Sequence, residues 1–361
     1  MNARIQSIQF LRGFAALLVC CFHMKGLLPE QHIGKTLFGN GSLGVPLFFV
    51  ISGFIMVHTA KPVQSPMRDA GQFLLRRIVR IVPLYVLVTL VYVAVLHQWA
   101  YYAKHPLHAL STLFFVPTFA SALGPSYGMP PLEVGWSLNY EMYFYLLLAL
   151  SMGFKALRWW AMALFILVPV LVFPLLFPGY YIQQLSQGYP WPAYLKVMGQ
   201  PILLFFLSGM LLGRLHGMLP PSLKPSKAWW LLPLAGLALF FVHYTGHLSP
   251  SNHYLVPLLV SVVLVGSFLL AEALCPIQWP AWLIFPGTVS YSLYLVHPLV
   301  LHALPKIIRA VGYTGALQGW PYFAVALCVM LVLAWITYRV FEQALSRMLL
   351  QRFIKPQTQG A

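Results

Sequence analysis

The chain has 361 residues, of which 60% are hydrophobic and only 8% charged. Soluble domains carry about 25% charged residues, so this composition excludes an ordinary soluble enzyme and places the chain among membrane proteins. The formal net charge of +16, from 22 Lys and Arg against 6 Asp and Glu, suits the cytoplasmic anchoring of a multi-pass protein and also favours anionic substrates or lipids.

Apolar residues come in runs of about 20, the length that crosses a bilayer core as a helix, and the alternation of a membrane β-barrel is missing. Ten spans are predicted, at 5–28, 42–60, 78–100, 136–154, 160–178, 198–216, 229–247, 252–272, 285–304 and 320–341. The expected fold class is therefore all-α, a polytopic transmembrane helix bundle of about ten helices. The longest outer loop is 104–132, and its apolar piece 107–123 is expected to lie on the membrane surface or to re-enter it. With the N-terminus inside, fifteen Lys and Arg fall in inner segments and six in outer ones, with Arg12 inside the first span. That asymmetry predicts both termini in the cytoplasm. Cys20, Cys21, Cys275 and Cys328 show no paired or metal-type spacing and are expected as free thiols. A cleavable leader is not expected, because the first apolar segment carries Arg12 and His23.

In that first segment Arg12 and His23 stand eleven residues apart. On a helix this is about 20° beyond three turns and roughly 16 Å along the axis. Both project from one face, and a cation inside a span usually faces the bundle interior or a wet cavity. Snorkelling of Arg12 and simple packing of His23 are the plain readings of each residue alone; their shared face favours a common cavity. In the second segment, Ser52-Gly53 allows either close approach of the backbone to a ligand or small-residue helix packing. No nucleophile elbow surrounds Ser52.

The third segment begins FLLRRIVRIVPLY, with Arg76, Arg77 and Arg80 expected at a helix start on the inner side. Arg77 and Arg80 share a face, and guanidinium pairs suit bidentate phosphate binding. A helix N-terminus would add to the attraction for an anion, while topology or lipid anchoring is the plain alternative. The fourth segment, WSLNYEMYFYLLL, places Glu141 about five residues into the span beside Tyr140, Tyr143 and Tyr145. A carboxylate there must be protonated or paired; His23 and Arg12 are the candidate partners, and His23 is preferred because it too lies in the outer half. In the ninth segment Tyr291, Tyr294 and His297 recur every third residue as a slanted polar stripe.

Taken in order, Arg12-x10-His23, FFVISGF at 48–54, RRIVRIVPLY at 76–85, WSLNYEMYFY at 136–145 and SYSLYLVHP at 290–298 resemble the membrane acyltransferase-3 family. The resemblance implies a stand-alone, exopolysaccharide O-acetyltransferase-like enzyme of the bacterial cytoplasmic (inner) membrane. It implies one transmembrane acyltransferase domain over 1–345 and a basic cytoplasmic tail over 346–361. It implies no bound cofactor, with acetyl-CoA or another acyl-CoA as the donor substrate and a polysaccharide or lipid-linked sugar as the acceptor. Membrane lipids are the other partners, with no nucleic acid and no metal. His23, Glu141 and Arg12 take catalytic roles: His23 as general base or acyl carrier, Glu141 orienting it, and Arg12 placing the donor or stabilising developing charge. Arg76, Arg77 and Arg80 hold the donor, and His297, Tyr291, Tyr294, Trp136 and Ser52 line the acceptor side. A transporter or flippase of a glycolipid or anionic metabolite is the alternative, because embedded charges also build proton relays. A non-catalytic partner in polysaccharide assembly is a third reading.

Overall fold

A computed structural model describes residues 5–28, 30–117, 130–176, 193–219, 226–248 and 254–353. The described residues contain helices and connections and no strand. Backbone polar groups have no water to bond in a bilayer core, and helices satisfy them internally. In chain order the α-helices are α1 (Gln6–Met24), α2 (Gln31–Phe38), α3 (Gly44–His58), α4 (Pro66–Val95), α5 (Trp99–Lys104) and α6 (Pro106–Leu113). Then come α7 (Trp136–Ser151), α8 (Arg158–Leu176), α9 (Ala193–Met198), α10 (Leu203–His216) and α11 (Leu231–Tyr244). The last are α12 (Leu255–Leu274), α13 (Ala281–Thr288), α14 (Ser290–Ala310), α15 (Trp320–Thr337) and α16 (Ser346–Phe353). A π-helical segment, Tyr338–Leu345, joins α15 to α16. Among the described residues, seven helical stretches are long and apolar enough to cross a membrane, and α13 with α14 makes an eighth if that bent pair is one span.

Each of the ten expected segments overlaps one of these helices, but two differ in a way that matters. The third was expected at 78–100, with the arginines at its start; α4 begins at Pro66. Its start signals are polar: Pro66 occupies the first turn, and the Asp69 carboxylate accepts from the Gln64 and Ser65 amides at 2.8 and 3.0 Å. Arg76, Arg77 and Arg80 therefore lie mid-helix, where the helix N-terminus contributes little, since that field fades within the first turn. The ninth was expected as one span over 285–304; the chain instead bends by 70° between α13 and α14. Part of the outer loop, 118–129, and the end of the basic tail, 354–361, lie outside the described residues. The four cysteines are free, as expected.

The chain forms two compact units, interleaved in sequence. The first draws on Met1–Lys61, Pro201–Tyr294 and Ile308–Leu331. Its centre is the crossing of α3 on α10. A Cβ built on Gly53 would sit on the Phe206 carbonyl oxygen, and one on Gly209 on the Val50 carbonyl oxygen. Each glycine thus admits the other helix's backbone, the use small residues have in membrane helix packing. A second reciprocal pair joins α1 to α13: Gly13 meets the Gly287 amide and Gly287 the Gln9 carbonyl. The Pro286-Gly287 step that allows this contact also precedes the bend.

α1 has no side-chain cap of its own. Its Gln6 and Ser7 amides both donate to the Glu272 carboxylate of α12 at 2.8 Å, and Gln6 Oε1 accepts from the Trp279 amide at 2.8 Å. A carboxylate at a helix N-terminus satisfies free amides and opposes the positive end of the dipole. Glu272→Ala is expected to destabilise the protein by about 1–3 kcal/mol, with Glu272→Gln intermediate because it keeps one acceptor oxygen. Thermal melts in lipid nanodiscs check this; equal melting of all three proteins would remove the capping role.

The second unit draws on Pro62–Gln200, Leu295–Ile307 and Val332–Ala361. Here α4 packs on α7, with Tyr85, Tyr140 and Phe144 among the fully buried rings. Ser346 Oγ donates to the Val79 carbonyl at 3.2 Å, tying the start of α16 to α4. At the other end of α4, the Lys306 ammonium donates to the Val95 carbonyl.

Candidate functional site

The first unit holds Arg12 and His23. α1 runs unbroken from Gln6 to Met24, so the two share a face, as their spacing predicts. His23 Nδ1 lies 2.9 Å from the Val19 carbonyl oxygen, one turn back. A carbonyl only accepts, so this contact assigns the proton to Nδ1 and leaves the basic lone pair on Nε2. Phe22 sets its ring edge-on to the imidazole, with centroids 5.1 Å apart.

Arg12 is held by side chains of the first unit. Its Nη2 donates to Ser290 Oγ at 2.8 Å and its Nη1 to Gln9 Oε1 at 3.4 Å. Ser290 is fully buried and opens α14 just after the bend, so the broken helix and the embedded guanidinium form one feature. Along α14, Tyr294 is buried and meets Phe48 edge-on at 6.0 Å, while Tyr291 is half-buried. Ser52 is half-buried on α3, and its neighbour Gly53 is used in the α10 crossing, so the packing reading of that pair holds for the glycine.

The second unit holds the arginines, Glu141, Trp136 and His297. Arg76 is exposed, and Arg77 and Arg80 are half-buried. The Arg77 guanidinium stands 5.4 Å from the Phe73 ring and 5.2 Å from the Tyr145 ring, within cation–π range. The Tyr145 hydroxyl donates to Glu141 Oε1 at 2.5 Å. Glu141 and Tyr145 are both near enough to Arg77 to oppose the repulsion from Arg76 and Arg80. Arg80 Nη2 pairs with Glu342 Oε2 at 3.6 Å; the Glu342 side chain is 4% exposed and that of Arg80 40%. Trp136 is half-buried at the start of α7, edge-on to Tyr140 at 6.1 Å, and His297 is fully buried in α14.

Sequence reasoning missed Glu272, Ser290 and Glu342. The signal for the two acids was present: in a chain with only 6 acidic residues, a carboxylate inside or beside an apolar run has to find a partner. That argument was applied to Glu141 alone. Ser290 carried no such signal, since a serine within a span is commonplace.

The first unit supplies an imidazole and an anchored guanidinium on one helix face, and the second a guanidinium cluster balanced by carboxylates. Comparison with known proteins gives the family of the chain. The chain is 32% identical over 283 residues to the "Exopolysaccharide production protein ExoZ" of Rhizobium meliloti (strain 1021), covering 76% of this chain and 81% of that protein. It is 26% identical over 321 residues to ORF330 of Acidianus two-tailed virus, which bears an acetyltransferase name, with 86% and 85% covered. It is 24% identical over 359 residues to "Nodulation protein 10" of Rhizobium leguminosarum bv. viciae, with 91% and 90% covered. No solved structure matches. The acyltransferase-3 family, described as "Acyltransferase domain", matches residues 5–339, a range that contains every site residue named from the sequence. The chain is thus an acyltransferase, a member of the acyltransferase-3 family.

Proposed function

We propose that this enzyme moves an acetyl group from cytoplasmic acetyl-CoA to a hydroxyl of a surface-polysaccharide or lipid-linked sugar, in the inner membrane of a bacterium. The observation that carries the reading is His23, whose Nδ1–H contact with the Val19 carbonyl leaves Nε2 as the base. Nε2 takes the proton of the sugar hydroxyl as its oxygen bonds to the thioester carbonyl carbon. The C–S bond then breaks, and the leaving thiolate collects the proton from the imidazolium. In the covalent route Nε2 itself bonds to the carbonyl carbon and the thiolate leaves; the sugar oxygen later bonds to that carbon as the C–N bond breaks, and the freed imidazole takes the hydroxyl proton and passes it to the thiolate. Arg12 places the donor or stabilises the developing oxyanion. Single-turnover incubation with radiolabelled acetyl-CoA and no acceptor separates the two: a labelled protein, lost in His23→Ala, belongs to the covalent route only.

The relative named for exopolysaccharide production supports a glycan acceptor. A topology of ten spans with both termini cytoplasmic is supported by the charge asymmetry and by contacts between helix ends. The contacts Gln6–Glu272, Val79–Ser346 and Arg80–Glu342 join ends that this topology places inside, and Asn40–Tyr244 and Val95–Lys306 join ends that it places outside.

The donor's phosphates are assigned to Arg76, Arg77 and Arg80, with Glu141 holding Arg77 in place. Glu342 then competes with a phosphate for Arg80. Arg77→Ala with Arg80→Ala is expected to raise the KM for acetyl-CoA about tenfold or more, while Glu342→Gln lowers it severalfold, since charge-assisted hydrogen bonds contribute about 1.5–3 kcal/mol. Steady-state kinetics in nanodiscs tests this, and an unchanged donor KM in all variants would return these arginines to topology alone. Acceptor-dependent consumption of acetyl-CoA tests the function itself; a transporter would move its substrate unaltered.

A further inference from the structure

The outer-directed half of α4 carries a feature the catalytic reading does not use. Tyr85, Thr89 and Tyr92 recur at the i, i+4 and i+7 positions of this helix, so their side chains lie on one face. Their exposures are 0%, 4% and 1%. Each hydroxyl is buried, and the rest of the fold offers none of them a well-formed hydrogen bond; Tyr85 and Thr89 stand close enough to interact only with each other. Buried polar groups are nearly always bonded, and each orphan costs stability. Three in a row on one face point to partners that arrive with a ligand.

The surroundings define the ligand's chemistry. Tyr85 stacks on Phe115 with ring centroids 5.0 Å apart, and Tyr92 meets His302 edge-on at 5.5 Å. Gly135 backs the Tyr85 hydroxyl so closely that a Cβ there would come within 2.9 Å of it. Tyr102 of α5 is near enough to act electrostatically on both Tyr85 and Tyr92, and its ring lies 5.4 Å from that of His108 in α6. Burial, with Tyr101 adding to it, pushes the Tyr102 hydroxyl up to about 12, so it stays a neutral donor. His302 and Glu133 beside Tyr92 are exposed, so the Tyr92 end of the cluster is the one nearest solvent-facing polar groups. Neutral hydroxyls interleaved with aromatic faces match a sugar ring, which offers alternating hydroxyls at its rim and C–H bonds on its faces. No Lys or Arg stands within the stripe itself, and Lys306, which reaches α4 one turn beyond Tyr92, is engaged by the Val95 carbonyl.

We propose that the Tyr85–Thr89–Tyr92 stripe of α4, flanked by α5 and α6, is a sugar-binding subsite for the acyl acceptor. The assignment rests on the acyltransferase reading for the word acceptor, but sugar binding itself is testable apart from it. The protein is placed in nanodiscs free of glycoside detergents, whose sugar heads would compete. Thermal melts are recorded with and without the methyl glycosides of glucose, galactose and N-acetylglucosamine, for wild type and for the triple variant Tyr85→Phe, Thr89→Val, Tyr92→Phe. Removing orphaned hydroxyls should leave the sugar-free melting temperature unchanged or higher. At least one glycoside should raise the melting temperature of wild type and not of the variant. In turnover with purified glycan, the variant's acceptor KM should rise about ten- to a hundredfold with the donor KM unchanged. A sugar-dependent shift without any acyl transfer would sink the acyltransfer assignment and keep the subsite. A lower sugar-free melting temperature in the variant, or no shift with any glycoside, would overturn the subsite.

Discussion

His23→Ala is expected to abolish acyl transfer, with kcat falling at least about 10²–10⁴-fold, while the protein still inserts and melts as wild type does. The separation follows from how the ring is held. Its Nδ1–H bonds back to the Val19 carbonyl within the same helix, and that carbonyl keeps the His23 backbone amide as its ordinary helical donor after truncation. Alanine also has the highest intrinsic helix propensity, so α1 loses reactivity and not shape. Steady-state rates and thermal melts on the same nanodisc preparation check both halves. A variant with normal turnover would remove His23 from the mechanism, and a variant that fails to fold would make it structural.

The largest effect on folding is expected at Gly53. A Cβ there would meet the Phe206 carbonyl oxygen and come within 3.0 Å of the Met210 amide nitrogen, and backbone cannot yield as a side-chain tip can. Gly53→Ala should destabilise by about 1–3 kcal/mol, and Gly53→Leu should leave little folded protein, because a larger side chain must force α3 and α10 apart. Gly209→Ala should behave like Gly53→Ala, since each glycine faces the other helix's carbonyl. Gly71→Ala is the control: nothing lies within 4 Å of its Cβ, and alanine there should be neutral or stabilising by up to about 1 kcal/mol. Fluorescence-detected size exclusion and thermal melts read all four variants; equal behaviour of Gly53→Ala and Gly71→Ala would contradict the crossing.

Much of the fold was legible because hydropathy and helix length are tied by bilayer thickness. The segments around α1, α3, α7 and α11 were placed within a few residues by that rule alone. α4 was misplaced because its first turns are polar, and an apolar window starts where the membrane does and not where the helix does. The bend before Ser290 escaped because Pro286-Gly287 reads as a tolerable interruption until the contact of Gly287 with α1 is known. Within the site, the Arg12–His23 face needed only helical periodicity. The partners of Arg12, Arg80 and the α1 amides needed tertiary structure: Ser290, Glu342 and Glu272 stand hundreds of residues away in sequence. The three hydroxyls on α4 could have been read as one stripe, but that the rest of the fold leaves them so poorly bonded is visible only with their neighbours in place.

The central claim is acyl transfer to a sugar through His23. Mass spectrometry of the purified surface glycan, from cells lacking the gene and from the same cells complemented with wild type or His23→Ala, tests it most directly. The account predicts that each modified sugar loses the mass of one acetyl group on deletion, and that wild type alone restores it. Unchanged acetylation, with a complete glycan retained inside the cell, would contradict the account and favour transport.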